Sequence, residues 1–136
     1  PDTSEVRADA QVTWYPPRSA AEYVPAGMHA VTVTAAPLGA SPRTSTRTFT
    51  SPAVVRRLAG MLNGARVSAL GRVPCPMQQV TYRLAFSASA GTAPYLVAQD
   101  TGCLTLAITV RNRAQPALQA PAGLSAALAS LMHVRG

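Results

Sequence analysis

The two cysteines carry the clearest chemistry in this 136-residue chain, because a pair of thiols can form a disulfide. Cys75 precedes one strand-like run and Cys103 begins another. The short links between the runs predict an antiparallel meander in which both thiols fall at one end of the sheet. A direct bond requires the Cys75 loop to fold back, since two strand spacings exceed a disulfide's reach. The pattern indicates a Cys75–Cys103 disulfide, and the alternative is two buried free thiols.

Groups that could act as catalysts are few and scattered. The sequence has two histidines, His29 and His133, and five carboxylates, three of them close to the start of the chain. A nucleophile needs a base within hydrogen-bond reach and a further group that orients the base. His29, Asp100 and a nearby serine could supply such a set, but no local sequence signature supports it. We therefore predict that the protein is not an enzyme.

The sequence predicts neither a metal site nor a cofactor. Two thiols and two histidines match no zinc-ligand spacing, and a disulfide would use up the thiols. The chain also lacks a glycine-rich phosphate-binding loop.

The basic charge of the chain has an unusual composition. The net charge of +7 comes from 12 basic residues, all of them arginine. Arg-, Ala- and Pro-rich composition is what a GC-rich genome encodes, so mutational bias explains much of the basicity. The arginines are scattered, without the clustering or aromatic interleaving of nucleic-acid-binding proteins. We expect no nucleic-acid partner, whereas weak attraction to an anionic cell envelope stays open.

Strict alternation of apolar and small or polar residues predicts the central strands. In the run after Cys75 the two faces are formed by Val80, Tyr82, Leu84 and Phe86 on one side and by Thr81, Arg83, Ala85 and Ser87 on the other. Similar runs are predicted at residues 29–36, 95–99 and 103–110. Residues 37–46 are rich in Ser, Thr, Pro and Gly, which predicts a surface loop.

Two helices are predicted. Ser51 can cap the first and Pro52 suits its first turn, while Asn63-Gly64 supplies a left-handed stop. Its apolar face consists of Val54, Val55, Leu58, Met61 and Leu62. The second helix runs from about residue 124 to 132, with a leucine stripe on one side. Pro116 and Pro121 confine the segment between them to a loop.

These elements predict an α+β fold: an antiparallel sheet of four to five strands with two helices packed on one face. Residues 28–136 form a single α+β domain, and residues 1–27 form an irregular segment in which residues 9–15 could add an edge strand. No apolar run approaches the roughly 18 residues needed to span a bilayer. The start of the chain lacks an initiator Met and an apolar signal core, so we expect a trimmed or mature product.

Several short motifs resemble uncharacterised secreted or lipid-anchored proteins of high-GC actinobacteria. The motifs are Ser51-Pro52-Ala53-Val54-Val55-Arg56-Arg57-Leu58, Cys75-Pro76-Met77, Tyr82-Arg83-Leu84-Ala85-Phe86, Thr101-Gly102-Cys103 and Arg113-Ala114-Gln115-Pro116-Ala117-Leu118. The likeness covers roughly residues 28–135. It implies an extracytoplasmic location and a disulfide, and it implies no activity.

A shorter likeness concerns Cys75-Pro76-Met77, which follows a helix and precedes strands leading to a second Cys. The bacterial subtilisin-inhibitor-like family is similar in this order. The resemblance implies an inhibitory loop over Cys75, Pro76, Met77 and Gln78, with the Met77–Gln78 bond offered to the protease. The chain departs from the family in lacking its other disulfide and in the Gln78-Gln79 that follows the Met. It also continues for 33 residues after Cys103.

We therefore expect a non-catalytic extracytoplasmic domain, secreted or lipid-anchored, with a binding or structural role at the cell envelope. Its partner would be a protein or an envelope ligand that the sequence does not specify. The alternative is a subtilisin-type serine-protease inhibitor whose reactive bond joins Met77 and Gln78.

Overall fold

A computed structural model describes residues 17–39, 43–68, 78–102 and 104–133. The strands are β1 (Ala30–Pro37), β2 (Ser45–Phe49), β3 (Val80–Ser87), β4 (Leu96–Asp100), β5 (Thr105–Val110) and β6 (Arg113–Gln119), and the helices are α1 (Pro52–Asn63) and α2 (Leu124–Met132). The strands form one antiparallel sheet in the order β2-β1-β3-β4-β5-β6. The predicted α+β class is confirmed, with six strands in place of four to five.

Both helices lie against the same face of the sheet. Their buried side chains join those of the strands in a single apolar core, in which Leu58 of α1, Leu128 of α2 and Phe86 of β3 are almost fully buried. The guanidinium of Arg47, which shares this face of β2, donates to the carbonyl of Leu131 at 2.8 Å. The alternation predicted for β3 holds on the helix side, where Tyr82, Leu84 and Phe86 are buried, but Ala85 and Ser87 on the opposite face are buried as well.

The two strands that were not predicted from the sequence lie at the edges of the sheet. Strand β2 begins at Ser45, inside the segment predicted as loop, and every residue of it except Phe49 is exposed. An edge strand with this little burial carries no apolar alternation for a sequence pattern to detect.

Strand β6 contains Pro116, which was wrongly expected to keep its segment in a loop. Leu106 pairs with Leu118 but Ile108 pairs with Gln115, so β6 holds one residue more than β5 over this stretch. The proline falls within this bulge, where its missing N–H costs no ladder hydrogen bond.

The ends of α1 are formed differently from the prediction. Ser51 occupies the N-cap position, but its side chain makes no capping hydrogen bond. Gly64 ends the helix with right-handed backbone angles, φ −83° and ψ −8°, so the predicted left-handed stop is wrong. The guanidinium of Arg18 instead donates to the carbonyls of Leu62, Asn63 and Ala65 at 2.8 to 3.1 Å. A side chain distant in sequence thus satisfies the last carbonyls of this helix.

Strand β5 starts later than predicted. Residue 104 is a turn residue, Leu104, with a positive φ of 60°, and the ladder begins at Thr105. In the described ranges, neither helix has the length and apolar character required to cross a membrane.

Candidate functional site

Most of the loop predicted to be functional falls outside the described residues. Cys75, Pro76, Met77 and Cys103 are among those not described, so the disulfide and the reactive bond stay predictions. Gln78, the last residue of the loop, is described and is half-buried. The contacts of Gln78 are therefore what the structure shows of this loop.

Gln78 is tied to the end of β4. Its side-chain amide donates to Oδ2 of Asp100 at 3.3 Å, and Oδ1 of Asp100 accepts from the backbone N–H of Gly102 at 2.9 Å. A Cβ placed on Gly102 would lie 3.7 Å from Oε1 of Gln78. Gln78, three positions after Cys75 in the sequence, and Gly102, directly before Cys103, therefore lie close together. We call this region, formed by Leu38, Gln78, Asp100, Gly102 and Leu104, the cysteine end.

Tyr82 stands beside this cluster on the buried face of β3. Burial of its ring, and secondly the negative charge of the Asp100 carboxylate, raises the pKa of Tyr82 above its ordinary value of 10.0. Asp100 is itself 8% exposed. Its carboxylate accepts one hydrogen bond from the side-chain amide of Gln78 and one from the backbone N–H of Gly102. The arrangement joins two loops to the sheet.

Exposed leucines flank the cysteine end. Leu38 is 61% exposed and Leu104 is 43% exposed, both unusual for leucine in this structure. The backbone N–H of Leu38 donates to the carbonyl of Gln79 at 2.8 Å, which places Leu38 beside the candidate loop. Apolar surface next to a loop is a feature of protein-contact regions.

The catalytic set considered from the sequence is not assembled. His29 is exposed and donates its backbone N–H to Ser87, at the far end of β3 from Tyr82 and Asp100. His29 and Asp100 therefore lie at opposite ends of the sheet. No three His, Cys, Asp or Glu side chains converge on a metal-sized space within the described ranges.

A cavity of about 290 Å³ opens at the end of the sheet opposite the cysteine end. It is lined by Ala26, Met28, His29, Thr50, Pro52, Val55 and Arg56. Nε of Arg56 already donates to the carbonyl of Pro52 at 3.3 Å. The lining is mainly apolar, and no buried polar group without a partner points into it among the described residues.

The second face of the sheet carries small and polar side chains in cross-strand rows. We call it the open face and define it by Thr46, Thr48, Thr32, Thr34, Ala36, Thr81, Arg83, Ala85, Val97, Gln99, Ala107, Thr109 and Ala114. Hydroxyl groups pair across β1 and β2, with Thr32 and Thr48 at 2.9 Å and Thr34 and Thr46 at 3.2 Å. Both helices pack on the other side, so no described helix covers this face.

Arg83 is the charged side chain of the open face. It lies on β3, near the middle of the sheet, between Thr34 of β1 and Gln99 of β4. The side chain is half-buried and makes no hydrogen bond or ion pair in the described part of the chain. Within the described ranges its donors are therefore unpaired, next to the Thr34 and Gln99 positions.

The described surface carries positive charges without negative ones. Glu22 and Asp100 are the carboxylate residues in the described ranges, and they are 7% and 8% exposed. The described arginines are exposed or half-buried at positions 18, 43, 47, 56, 57, 66, 83, 111 and 113. Such a surface attracts anions.

The alternation of β3 correctly placed Arg83 opposite the core, but it did not identify Arg83 as a site. The sequence feature that could have identified Arg83 is a long cationic side chain among small residues on the polar side of a strand. The position of Arg83 between Thr34 and Gln99 depends on the register of three strands, and the sequence of one strand does not specify that register.

Comparisons of the chain with family models, curated proteins and solved structures gave no significant match. The two resemblances seen in the sequence therefore stay predictions.

Proposed function

We propose that this protein is a non-catalytic binding domain that acts outside the cytoplasm, at the cell envelope, and binds an anionic ligand on its open face. The observation that carries the proposal is Arg83, a guanidinium without a partner in the described part of the chain and placed near the middle of the sheet face opposite the two helices. A guanidinium in such a position can form charge-assisted hydrogen bonds with an anionic ligand.

The extracytoplasmic location rests on the cysteine pair. A disulfide persists in oxidising compartments, and cytosolic thiols are normally kept reduced. The Gln78–Asp100 hydrogen bond supports the pairing because it holds the segments next to both cysteines together. The resemblance to secreted or lipid-anchored actinobacterial proteins points to the same location.

Cosedimentation with purified cell walls tests the binding role. Deproteinised walls of a high-GC Gram-positive bacterium are mixed with wild-type protein, with Arg83→Gln and with Arg56→Gln. Arg56 is the matched control, since it is an exposed arginine on α1, in the helix layer. We expect the wild type and Arg56→Gln to pellet equally and Arg83→Gln to stay mainly in the supernatant. Equal pelleting of both variants, or none by the wild type, contradicts the proposal.

The second candidate function is inhibition of subtilisin-type proteases through the Met77–Gln78 bond. The tether between Gln78 and Asp100 favours it, because a tight inhibitor needs a loop already held in its bound shape. Exposed Leu38 and Leu104 would add apolar contact area beside the loop.

A titration of subtilisin with the protein separates the two functions. The binding-domain proposal expects full protease activity at micromolar excess of the protein and a Met77 that is at least partly buried. Stoichiometric inhibition that disappears in Met77→Gly, with Gln79→Ala as a folded control, would establish the inhibitor.

A further inference from the structure

We infer that the ligand of the open face is an acidic polysaccharide whose sugar units carry carboxylates, bound with one carboxylate on Arg83. This inference rests on the proposed function and names the chemical class of its ligand.

Hydrogen-bonding groups dominate the open face. Thr32, Thr34, Thr46 and Thr48 form a two-by-two array of hydroxyls on adjacent strands, which lie about 4.8 Å apart. Each hydroxyl can both donate and accept, and the Gln99 amide beside Arg83 does the same. Sugar hydroxyls have the same dual character, so a glycan chain lying across the strands can exchange hydrogen bonds with many of these groups.

Arg83 adds a single cation to this array. A guanidinium binds a carboxylate with two parallel hydrogen bonds, and such charge-assisted pairs are about twice as strong as neutral ones. Its neighbours on this face, Thr34, Thr81 and Ala85, have small side chains. One central cation suits a polymer whose negative charges are spaced along it, such as a chain of uronic acids.

Other anionic partners fit the open face less well. Protein interfaces are enriched in aromatic and Met side chains, and this face has neither. Single-stranded nucleic acids stack their bases on aromatic rings, and duplexes need several phosphate contacts. Binding to a lipid surface requires apolar side chains that enter the bilayer boundary, whereas Val97 is the largest apolar side chain here.

Isothermal titration with defined oligosaccharides tests the inference. The probes are the hexamer of galacturonic acid and its fully methyl-esterified form, which keeps the hydroxyls and loses the charges. The proteins are the wild type, Arg83→Gln, Thr34→Val and the control Arg56→Gln. We expect the acid hexamer to bind and the ester to bind at least about tenfold more weakly. Arg83→Gln should weaken the acid hexamer by a similar factor, Thr34→Val by a smaller one, and Arg56→Gln by less than about twofold.

Failures of the inference and of the proposed function are distinguishable. If walls pellet the protein through Arg83 but the acid hexamer does not bind, the ligand class is wrong and the binding function survives. Equal binding of acid and ester, or equal losses in Arg83→Gln and Arg56→Gln, overturns the inference. Arg83-dependent binding to phosphatidylglycerol vesicles or to single-stranded DNA, without binding to the hexamer, assigns the face to that class instead.

Discussion

Asp100 connects three parts of the molecule at the scale of a single residue. Its carboxylate accepts from Gln78 and Gly102, and its charge acts on Tyr82. Asp favours turns in which its side chain bonds the backbone two residues on, and the contact from the Gly102 N–H to Oδ1 of Asp100 is such a turn. The partnership with Gln78 was not predictable, because Gln78 lies before β3, outside any periodic run, and no local pattern specifies its partner.

Tyr82 gives a pH-dependent prediction. Its folded-state pKa is raised, first by burial and then by Asp100, above the 10.0 expected of the unfolded chain. The folded state therefore holds the phenolic proton more tightly. This contribution to stability is fully present below pH 10 and is lost as the pH rises through the folded-state pKa. Urea unfolding of the wild type should show a falling free energy of unfolding above about pH 10.

Matched variants identify the residue responsible for that fall. Tyr82→Phe removes the titrating group and should flatten the alkaline decline, while Tyr23→Phe, at an exposed position, should leave it unchanged. An identical decline in the wild type and Tyr82→Phe would show that another group controls alkaline stability.

At the scale of secondary-structure elements, the segment before β1 contacts the end of α1. Arg18 bonds three carbonyls at the end of α1 and stacks over the Tyr23 ring at 4.2 Å. The Asn63 side chain accepts from the N–H of Val24 at 2.8 Å and donates to its carbonyl at 3.2 Å. Together these contacts fix the segment before β1 against the helix layer.

Arg18→Ala should destabilise the protein by about 1–3 kcal/mol, because it leaves the partly buried carbonyls of Asn63 and Ala65 without the donor that Arg18 supplies. Chemical denaturation with Arg56→Ala as the control checks this. Arg56 is exposed and bonds a single carbonyl on its own helix, so its loss should cost under about 0.5 kcal/mol. Equal stabilities for the two variants would mean that α1 ends without help from Arg18.

Elements with an apolar face were the predictable part of the fold. Strands β1, β3, β4 and β5 and both helices follow from periodicity, since each buries one side in the shared core. Strands β2 and β6 were missed because their formation depends on pairing with a neighbour, which a single segment does not reveal. The end of α1 was mispredicted for a related reason, as its partner Arg18 lies 44 positions earlier than Leu62.

The predicted disulfide concerns the whole molecule. The proposed bond closes a loop of 28 residues, from position 75 to position 103. The chain-entropy model gives such a bond about 3–4 kcal/mol of stabilisation. That is a large share of the roughly 5–15 kcal/mol that keeps a domain folded. Thiol titration of the denatured, unreduced protein should detect no free thiol. Two free thiols would remove the bond and the main support for an extracytoplasmic location.

The distribution of charge over the molecule matches the proposed role. The net charge is +7, and both carboxylates of the described ranges are buried, so the described surface is purely cationic. Composition alone suggested a genomic bias towards arginine. Composition does not reveal that Glu22 and Asp100 are buried. Because they are buried, these two carboxylates do not compete with an external anion for the arginines of the described surface.

Mapping the ligand surface by nuclear magnetic resonance tests the central claim most directly. Backbone amide shifts of labelled protein are recorded while soluble fragments, released from deproteinised walls by lysozyme, are added. The account predicts saturable shifts at Thr32, Thr34, Arg83 and Gln99, with the amides of α1 and α2 unchanged. Shifts confined to the helices or to the cysteine end, or shifts that persist in Arg83→Gln, would contradict binding on the open face.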